Sequence, residues 1–145
     1  MSMDDAAAET LASVELRLLA ERYAMAVDRG DGALFAAQFT QGGVLVTPAG
    51  SFSGRAELAT VPEIVRSRYE HTHHAVVGMV PVFDGDRANA QTYCHARHFY
   101  RTGARERMCY EMTIRYDDEF ERARGRWLLS RRALTVVAET RFSAC

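Results

Sequence analysis

The sequence predicts an α+β domain in which N-terminal helices precede a curved antiparallel sheet. Apolar residues recur at helical three-and-four spacing over the first half of the chain and at a period of two over the second half. Glycine-containing turns divide the second half into consecutive strands. Helices followed by a meander of strands is the element order of an α+β fold, with the helices on one side of the sheet.

Composition places the chain among soluble globular proteins, since 48% of its 145 residues are hydrophobic and 26% are charged. We expect one domain over residues 1–145, with a flexible tail over residues 1–8. A net charge of −1 disfavours nucleic acid or an anionic membrane as a partner. All basic residues are arginine, which excludes Schiff-base chemistry on a lysine. The three cysteines lack metal-type spacing and are typical of reduced thiols, which predicts a cytoplasmic protein.

The first half predicts a long helix, a short helix and a third helical stretch. Gly30 supplies the stop of the long helix, and Asp31 the cap of the short one. The third stretch begins near Gly54, and a capping box at residues 60–63 with Pro62 in the first turn predicts a break there. Two apolar stripes mark the long helix: Leu11, Val14, Leu18 and Met25, and Leu16, Leu19, Tyr23 and Val27.

Strand periodicity is clearest from Ala88 to Tyr100. Even positions are small and mostly apolar until His98, whereas odd positions are large and polar. The same parity continues over residues 107–116, and the last strand covers Trp127 to Val137. A core face made of small residues leaves space above it, which predicts a cavity. Turns are expected at residues 84–86, 102–103 and 124–125.

Four residues break the local rules and form the candidate active site. Asp28 ends the first helix, where the helix dipole disfavours a carboxylate. His73 and His74 begin one apolar run, and His98 closes another. Broken local rules are expected at functional positions. Strand parity predicts that His74 faces inward, together with Val76, Gly78 and Val80.

A metal site is the competing interpretation of the five histidines. Parity opposes it, because His73 and His74 point to opposite faces of a strand and cannot share one ion without a bulge. His71, His73 and His95 should all face away from the core. We therefore predict no metal and no cofactor.

Several motifs carry a resemblance to a known family. Val27–Asp31 is an aspartate followed by a polar pair and a second acid, and Thr72–His74 places a histidine after Thr-x. The chain resembles the SnoaL-like family of the nuclear transport factor 2-like superfamily from about Leu11 to Val137. It is similar to scytalone dehydratase and to hexachlorocyclohexane dehydrochlorinase, and alignment through the turn at residues 84–86 places a second catalytic histidine at His98.

The resemblance implies a cone-shaped sheet that encloses a dead-end, largely apolar pocket. It also implies an Asp–His dyad of Asp28 and His74, with His98 as a further catalytic residue. Tyr23 stands where the dehydrochlorinase has a lysine, so the acid–base residues match and the substrate-polarising ones do not.

The expected chemistry is cofactor-free acid–base catalysis on a small hydrophobic cyclic, aromatic or polyketide-like molecule. His74, oriented by Asp28, abstracts a proton, and His98 or Tyr100 donates one to the departing oxygen. A dehydratase-type lyase is the first expectation, and isomerisation or polyketide cyclisation uses the same groups. The candidate substrate-binding residues are Tyr23, Tyr100, Met108, Tyr110, Met112 and Tyr116.

Two non-catalytic interpretations stay open. The fold also serves as a ligand-binding or oligomerisation module, and as the small subunit of ring-hydroxylating oxygenases. Outward Tyr93, His95 and Phe99 predict a homodimer or homotrimer. An inward Arg132 could bind an anion, but an ion pair with Glu111 or Glu139 is the expectation.

Overall fold

Four helices and one six-stranded sheet make up the described part of the chain, residues 1–103 and 106–145, in a computed structural model. The helices are α1 (Met3–Arg29), α2 (Gly32–Ala37), α3 (Gly54–Leu58) and α4 (Val61–Arg68). The strands are β1 (Phe39–Thr47), β2 (Gly50–Ser53), β3 (His71–Asp84), β4 (Arg87–Thr102), β5 (Glu106–Ala123) and β6 (Arg126–Ser143).

The sheet is curved and unclosed, with the strand order β2-β1-β6-β5-β4-β3. Only β1 and β6 pair in parallel among the described strands, and β3 to β6 form the predicted antiparallel meander. Side chains of α1 and α2 pack with the inward side chains of the strands in one hydrophobic core. The predicted α+β class is therefore confirmed.

Helix α1 begins earlier than the sequence suggested. The Ser2 hydroxyl accepts a hydrogen bond from the Asp5 backbone N–H at 3.1 Å, and the Asp5 carboxylate accepts one from the Ser2 N–H. This capping box extends the helix to Met3, so residues 3–8 are helical where a flexible tail was expected. At the other end Gly30 adopts φ +69°, a left-handed conformation that ends the helix as predicted.

The break between α3 and α4 lies where it was predicted, but Thr60 does not cap α4. Its backbone is helical, and its hydroxyl donates at 2.6 Å to the Glu57 carbonyl of the preceding turn. The predicted capping box is therefore wrong, because α3 uses the hydroxyl that it required.

Strand β4 follows the predicted parity, with even positions buried from Ala88 to His98 and odd positions exposed up to Arg97. Strand β3 does not, because its register shifts between Val76 and Gly78. The extra residue is a β-bulge, and it inverts the side-chain direction beyond it. Gly78 and Val80, predicted to face inward, lie on the outer face, where Val80 is 81% exposed.

The outer face of the sheet holds a shallow groove of about 590 Å³ between Val80, Val82 and Tyr93 on one side and Asp117 and Arg131 on the other. His95 is also exposed, as predicted. A homodimer or homotrimer formed through this face stays a prediction. Across the described residues, no helix is both long enough and apolar enough to cross a membrane.

A polar cluster is buried on the inward face of the sheet, where Asp118 of β5 lies opposite Arg132 of β6. The Arg132 guanidinium donates two hydrogen bonds to the Asp118 carboxylate, both at 2.7 Å. The Thr92 hydroxyl donates to the same carboxylate at 2.7 Å. The rings of Tyr23 and Tyr116 lie 4.4 and 4.0 Å from the guanidinium carbon. We call these five residues the Arg132 cluster.

The prediction that Arg132 forms an ion pair with Glu111 or Glu139 is wrong. Glu111 faces outward and binds Arg97 at 2.7 Å, and Glu139 accepts from the Tyr110 hydroxyl. Asp118 lies directly opposite Arg132 on the inward face. Burial opposes the charge of Arg132, but Asp118 outweighs that effect and raises the pKa of the guanidinium.

Removal of one charge from this cluster should be costly. We expect Asp118→Asn to lower the free energy of unfolding by about 3–5 kcal/mol, because Arg132 would remain buried without a counter-charge. The double variant Asp118→Leu/Arg132→Met should recover most of that loss. Urea denaturation followed by circular dichroism measures both, and a loss below about 1 kcal/mol for Asp118→Asn would contradict the assignment.

Candidate active site

The Asp28 carboxylate binds three donors, all from the first residues of β3. The Thr72 hydroxyl donates to Oδ1 at 2.9 Å, and the His74 backbone N–H donates to Oδ2 at 3.0 Å. The His74 Nδ1 atom lies 2.7 Å from Oδ1. These three hydrogen bonds stabilise the carboxylate at the negative end of α1, where the helix dipole alone would disfavour it.

Electrostatics favour the charged form of Asp28. Burial alone would raise the pKa of this carboxyl, but the hydrogen bonds from His74 and Thr72 outweigh it and lower the pKa. A cation also lies at this end of the helix, since Arg66 of α4 donates to the Arg29 carbonyl at 3.3 Å. The ionised Asp28 carboxylate is therefore a negative charge at a fixed position in the site.

His74 is held as a potential base. Its side chain is 7% exposed, and the carboxylate that it contacts is acceptor-only when ionised. In a neutral ring, Nδ1 therefore carries the proton and Nε2 carries the lone pair. A carboxylate that fixes the imidazole tautomer is a recurrent way to orient a general base.

His98 lies beside His74 on the neighbouring strand. The two rings are 5.3 Å apart between centroids and nearly perpendicular, at 86°. His98 Nδ1 lies 3.1 Å from the Tyr110 carbonyl oxygen, which can only accept, so Nδ1 carries the proton here too. The three predicted catalytic residues thus meet at one place.

The environment of His98 keeps its ring neutral. Burial and the nearby His74 lower its pKa from 6.5 to about 4. With Nδ1–H bound to the carbonyl, Nε2 is an acceptor at neutral pH. This geometry differs from the predicted role of His98 as a proton donor, because a neutral ring in this tautomer offers a lone pair.

Tyr69, at the end of α4, covers His98. Its ring centroid lies 4.7 Å from that of His98, and it lines two cavities. One, of about 100 Å³, adjoins Asp28 and Thr72. The other, of about 290 Å³, lies between Tyr69 and the residues Arg68, Tyr100, Tyr110 and Arg141; we call it the tyrosine cleft. Both spaces share Tyr69 as a lining residue, and neither His74 nor His98 is among the residues that line them.

The predicted substrate-binding residues fall into three groups. Tyr100 and Tyr110 line the tyrosine cleft, as a ligand-binding role requires. Tyr23 and Tyr116 belong instead to the Arg132 cluster, where burial raises the pKa of Tyr23 to about 12. Met112 packs against the core opposite Ala96, and Met108 lies partly buried opposite Tyr100 and Ser143.

Sequence reasoning missed two residues of the site. Thr72 was present in the Thr-x-His motif, and its position two residues before His74 places it on the same face of β3. That spacing was a usable signal for a second donor to Asp28. Tyr69 lies where α4 ends and the chain turns into β3, and no local pattern indicates its contact with His98.

The five histidines divide between the two faces of the sheet. His71, His73 and His95 are exposed on the outer side, as parity predicted, while His74 and His98 face inward. Among the described residues no group of three or more histidine, cysteine or acidic side chains is arranged to hold an ion.

The sequence profile of the SnoaL-like domain matches residues 8–133. The chain belongs to the SnoaL-like family. No curated protein matches the sequence significantly.

Solved structures share this fold at low sequence identity. A hexachlorocyclohexane dehydrochlorinase (LinA, type 2) is 15% identical, with a TM-score of 0.85 over 94% of this chain and 93% of its own. A Novosphingobium aromaticivorans protein named after scytalone dehydratase is 18% identical, with a TM-score of 0.80 over 94% and 91%. A Kribbella flavida protein is 23% identical, with a TM-score of 0.79 over 92% and 95%. At these identities the similarity shows the fold.

The buried neutral His98 predicts acid sensitivity. Its pKa in the folded state is about 4, below the 6.5 of an unfolded chain, so the unfolded chain binds more protons between these values. Stability is therefore lost as the pH falls through that window. We expect the free energy of unfolding to drop by about 2 kcal/mol from this residue between pH 7 and pH 4.5.

Urea denaturation at the two pH values measures this drop. His98→Gln should have a smaller pH-dependent loss, whatever its stability at pH 7. His95→Gln is the matched control, because it removes an exposed histidine from the same strand and should keep the loss of the parent protein. Equal losses in the parent and in His98→Gln would contradict the prediction.

Proposed function

We propose that this protein is an acid–base enzyme without a cofactor, a dehydratase-type lyase that acts on a small cyclic, aromatic or polyketide-like molecule. The contact between the Asp28 carboxylate and His74 Nδ1 at 2.7 Å supports this proposal most directly. It leaves the Nε2 lone pair of His74 as the base and a fixed charge behind it to stabilise the imidazolium.

In the proposed reaction His74 Nε2 removes a proton from the carbon next to a carbonyl group. The electron pair of that C–H bond forms the C=C bond as the C–O bond to the departing hydroxyl breaks. The imidazolium then returns its proton to the hydroxyl, which leaves as water, so that His74 ends as it began. His98, kept neutral by burial, accepts a hydrogen bond from the hydroxyl through Nε2 and orients it.

The family relationship supports this class of reaction. Two structural neighbours carry the names of a dehydratase and a dehydrochlorinase, both of which describe elimination. Isomerisation or cyclisation would begin with the same proton abstraction and differ only in where the proton or the electron pair goes. We keep these as the alternative within the enzyme class.

A ligand-binding module is the alternative outside the enzyme class. The lining of the two cavities favours it, because neither cavity is lined by His74 or His98 and the Tyr69 ring lies 4.7 Å from that of His98. The two classes differ in whether a bound molecule loses a proton to solvent.

Proton abstraction can be measured without knowledge of the final product. We expect the enzyme to catalyse deuterium incorporation or elimination in cyclic β-hydroxy ketones dissolved in D₂O, followed by proton NMR. Asp28→Asn and His74→Ala should each lower the rate by about 10²–10⁴-fold, since each disables the general base.

His73→Ala is the matched control, because this exposed neighbour faces the opposite side of β3 and should keep the parent rate. Circular dichroism verifies that each variant is folded. Exchange or elimination that persists at the parent rate in folded His74→Ala would contradict the proposal. Binding of the ketones without exchange would favour the module.

A further inference from the structure

The tyrosine cleft combines aromatic and cationic groups next to the buried histidines. Three of its five lining residues are tyrosines and the other two are Arg68 and Arg141. Two of its tyrosines adjoin the site, because Tyr69 and Tyr110 contact the His98 ring at centroid distances of 4.7 and 5.8 Å. A molecule in this cleft would therefore lie next to the rings that contact His98.

The two arginines differ from most arginines near them in lacking an acidic partner. Arg101, at the same end of the sheet, binds Glu70 at 2.8 Å, and Arg97 binds Glu111 at 2.7 Å. Within the described residues neither Arg68 nor Arg141 forms an ion pair. Both guanidinium groups therefore keep donors for an anion.

The tyrosines fit an aromatic ligand. The rings of Tyr69 and Tyr100 are 6.3 Å apart between centroids and inclined at 65°, in an edge-to-face arrangement that aromatic groups favour. Arg141 already lies over the Tyr110 ring at 4.1 Å, which holds its charge at the cleft wall. A volume of about 290 Å³ suits one or two rings.

One negative charge lies near this wall. The Tyr110 hydroxyl donates to the Glu139 carboxylate, which raises the pKa of Tyr110. Glu139 does not line the cleft. The lining therefore carries two positive charges, with one negative charge behind Tyr110.

We infer that the tyrosine cleft is a binding site for the anionic group of a small aromatic molecule, a carboxylate or phenolate held by Arg68 and Arg141. The inference rests on the proposed function in that the anion would anchor the substrate whose reacting carbon faces His74. The substrate would then be an aromatic molecule that carries an acidic group.

Binding of 2-naphthoate and of its neutral counterpart 2-naphthamide tests this inference by isothermal titration calorimetry. The two probes share their rings and differ in charge. We expect naphthoate to bind at least about tenfold more tightly, since two charge-assisted hydrogen bonds replace neutral ones. The preference should shrink as salt is raised, because the arginines are exposed.

Four variants assign the preference to the cleft. Arg68→Gln and Arg141→Gln should each weaken naphthoate binding about five- to tenfold, and the double variant should bind both probes equally. Glu139→Gln should tighten naphthoate binding about two- to threefold, because it removes the negative charge and keeps an acceptor for Tyr110. Arg126→Gln, an exposed arginine on the β5–β6 hairpin, is the matched control and should change nothing.

Equal binding of the two probes, absence of naphthoate binding, or a preference that survives in the Arg68→Gln/Arg141→Gln variant would overturn the inference. None of these results touches proton abstraction by His74, which the deuterium assay measures separately. Conversely, a charge preference that depends on both arginines supports the anion site even where no exchange occurs, and the proposed catalysis would then be the part that fails.

Discussion

The Asp28 carboxylate is the point on which the arrangement of the site depends. It ends α1 at the negative pole of that helix, where a charge of its own sign is unfavourable. Thr72 and His74 offset that cost with three hydrogen bonds from β3, an edge strand of the sheet. The same contacts connect the helix to the sheet edge and orient the imidazole, so fold and candidate chemistry share one set of atoms.

The surroundings of Asp28 and His74 differ between the buried core and the open end of the sheet. Deeper in the core the Arg132 cluster is buried, with Asp118 accepting hydrogen bonds from both Arg132 and Thr92. At the open end the tyrosine cleft is formed by longer, more exposed side chains from α4 and from the ends of β4, β5 and β6. A buried interior on one side and partly exposed aromatic side chains on the other suit a site that must hold charge and still admit a molecule.

Sequence periodicity predicted the site well where the strands are regular. Parity alone placed His98 inward on β4 and His95 outward, and a misplaced carboxylate marked Asp28. Parity failed on β3 beyond Val76, since a single extra residue at Val77 reversed the direction of Gly78 and Val80. Neither the composition nor the residue spacing of β3 indicates this bulge.

Contacts between residues far apart in the sequence were the other feature that could not be predicted. Arg132 could not be matched to Asp118 without the β5–β6 register, which the hairpin determines, and Glu111 and Glu139 were equally available by charge. The cover that Tyr69 forms over His98 depends on where α4 ends relative to β4, a tertiary relation. The tautomer of His98 follows from a carbonyl on β5, which is likewise invisible in the sequence.

Asp28 and the Tyr110 carbonyl hold the two inward histidines so that a neutral ring carries its proton on Nδ1 and its lone pair on Nε2. Long-range proton–nitrogen NMR correlation of the imidazole rings at neutral pH reads the tautomer of each histidine directly. We expect the Nδ1–H tautomer for His74 and His98, and the more common Nε2–H tautomer for the exposed His71, His73 and His95. A His74 ring protonated at Nε2 and unprotonated at Nδ1 would contradict the proposed catalysis, because its general base would not exist.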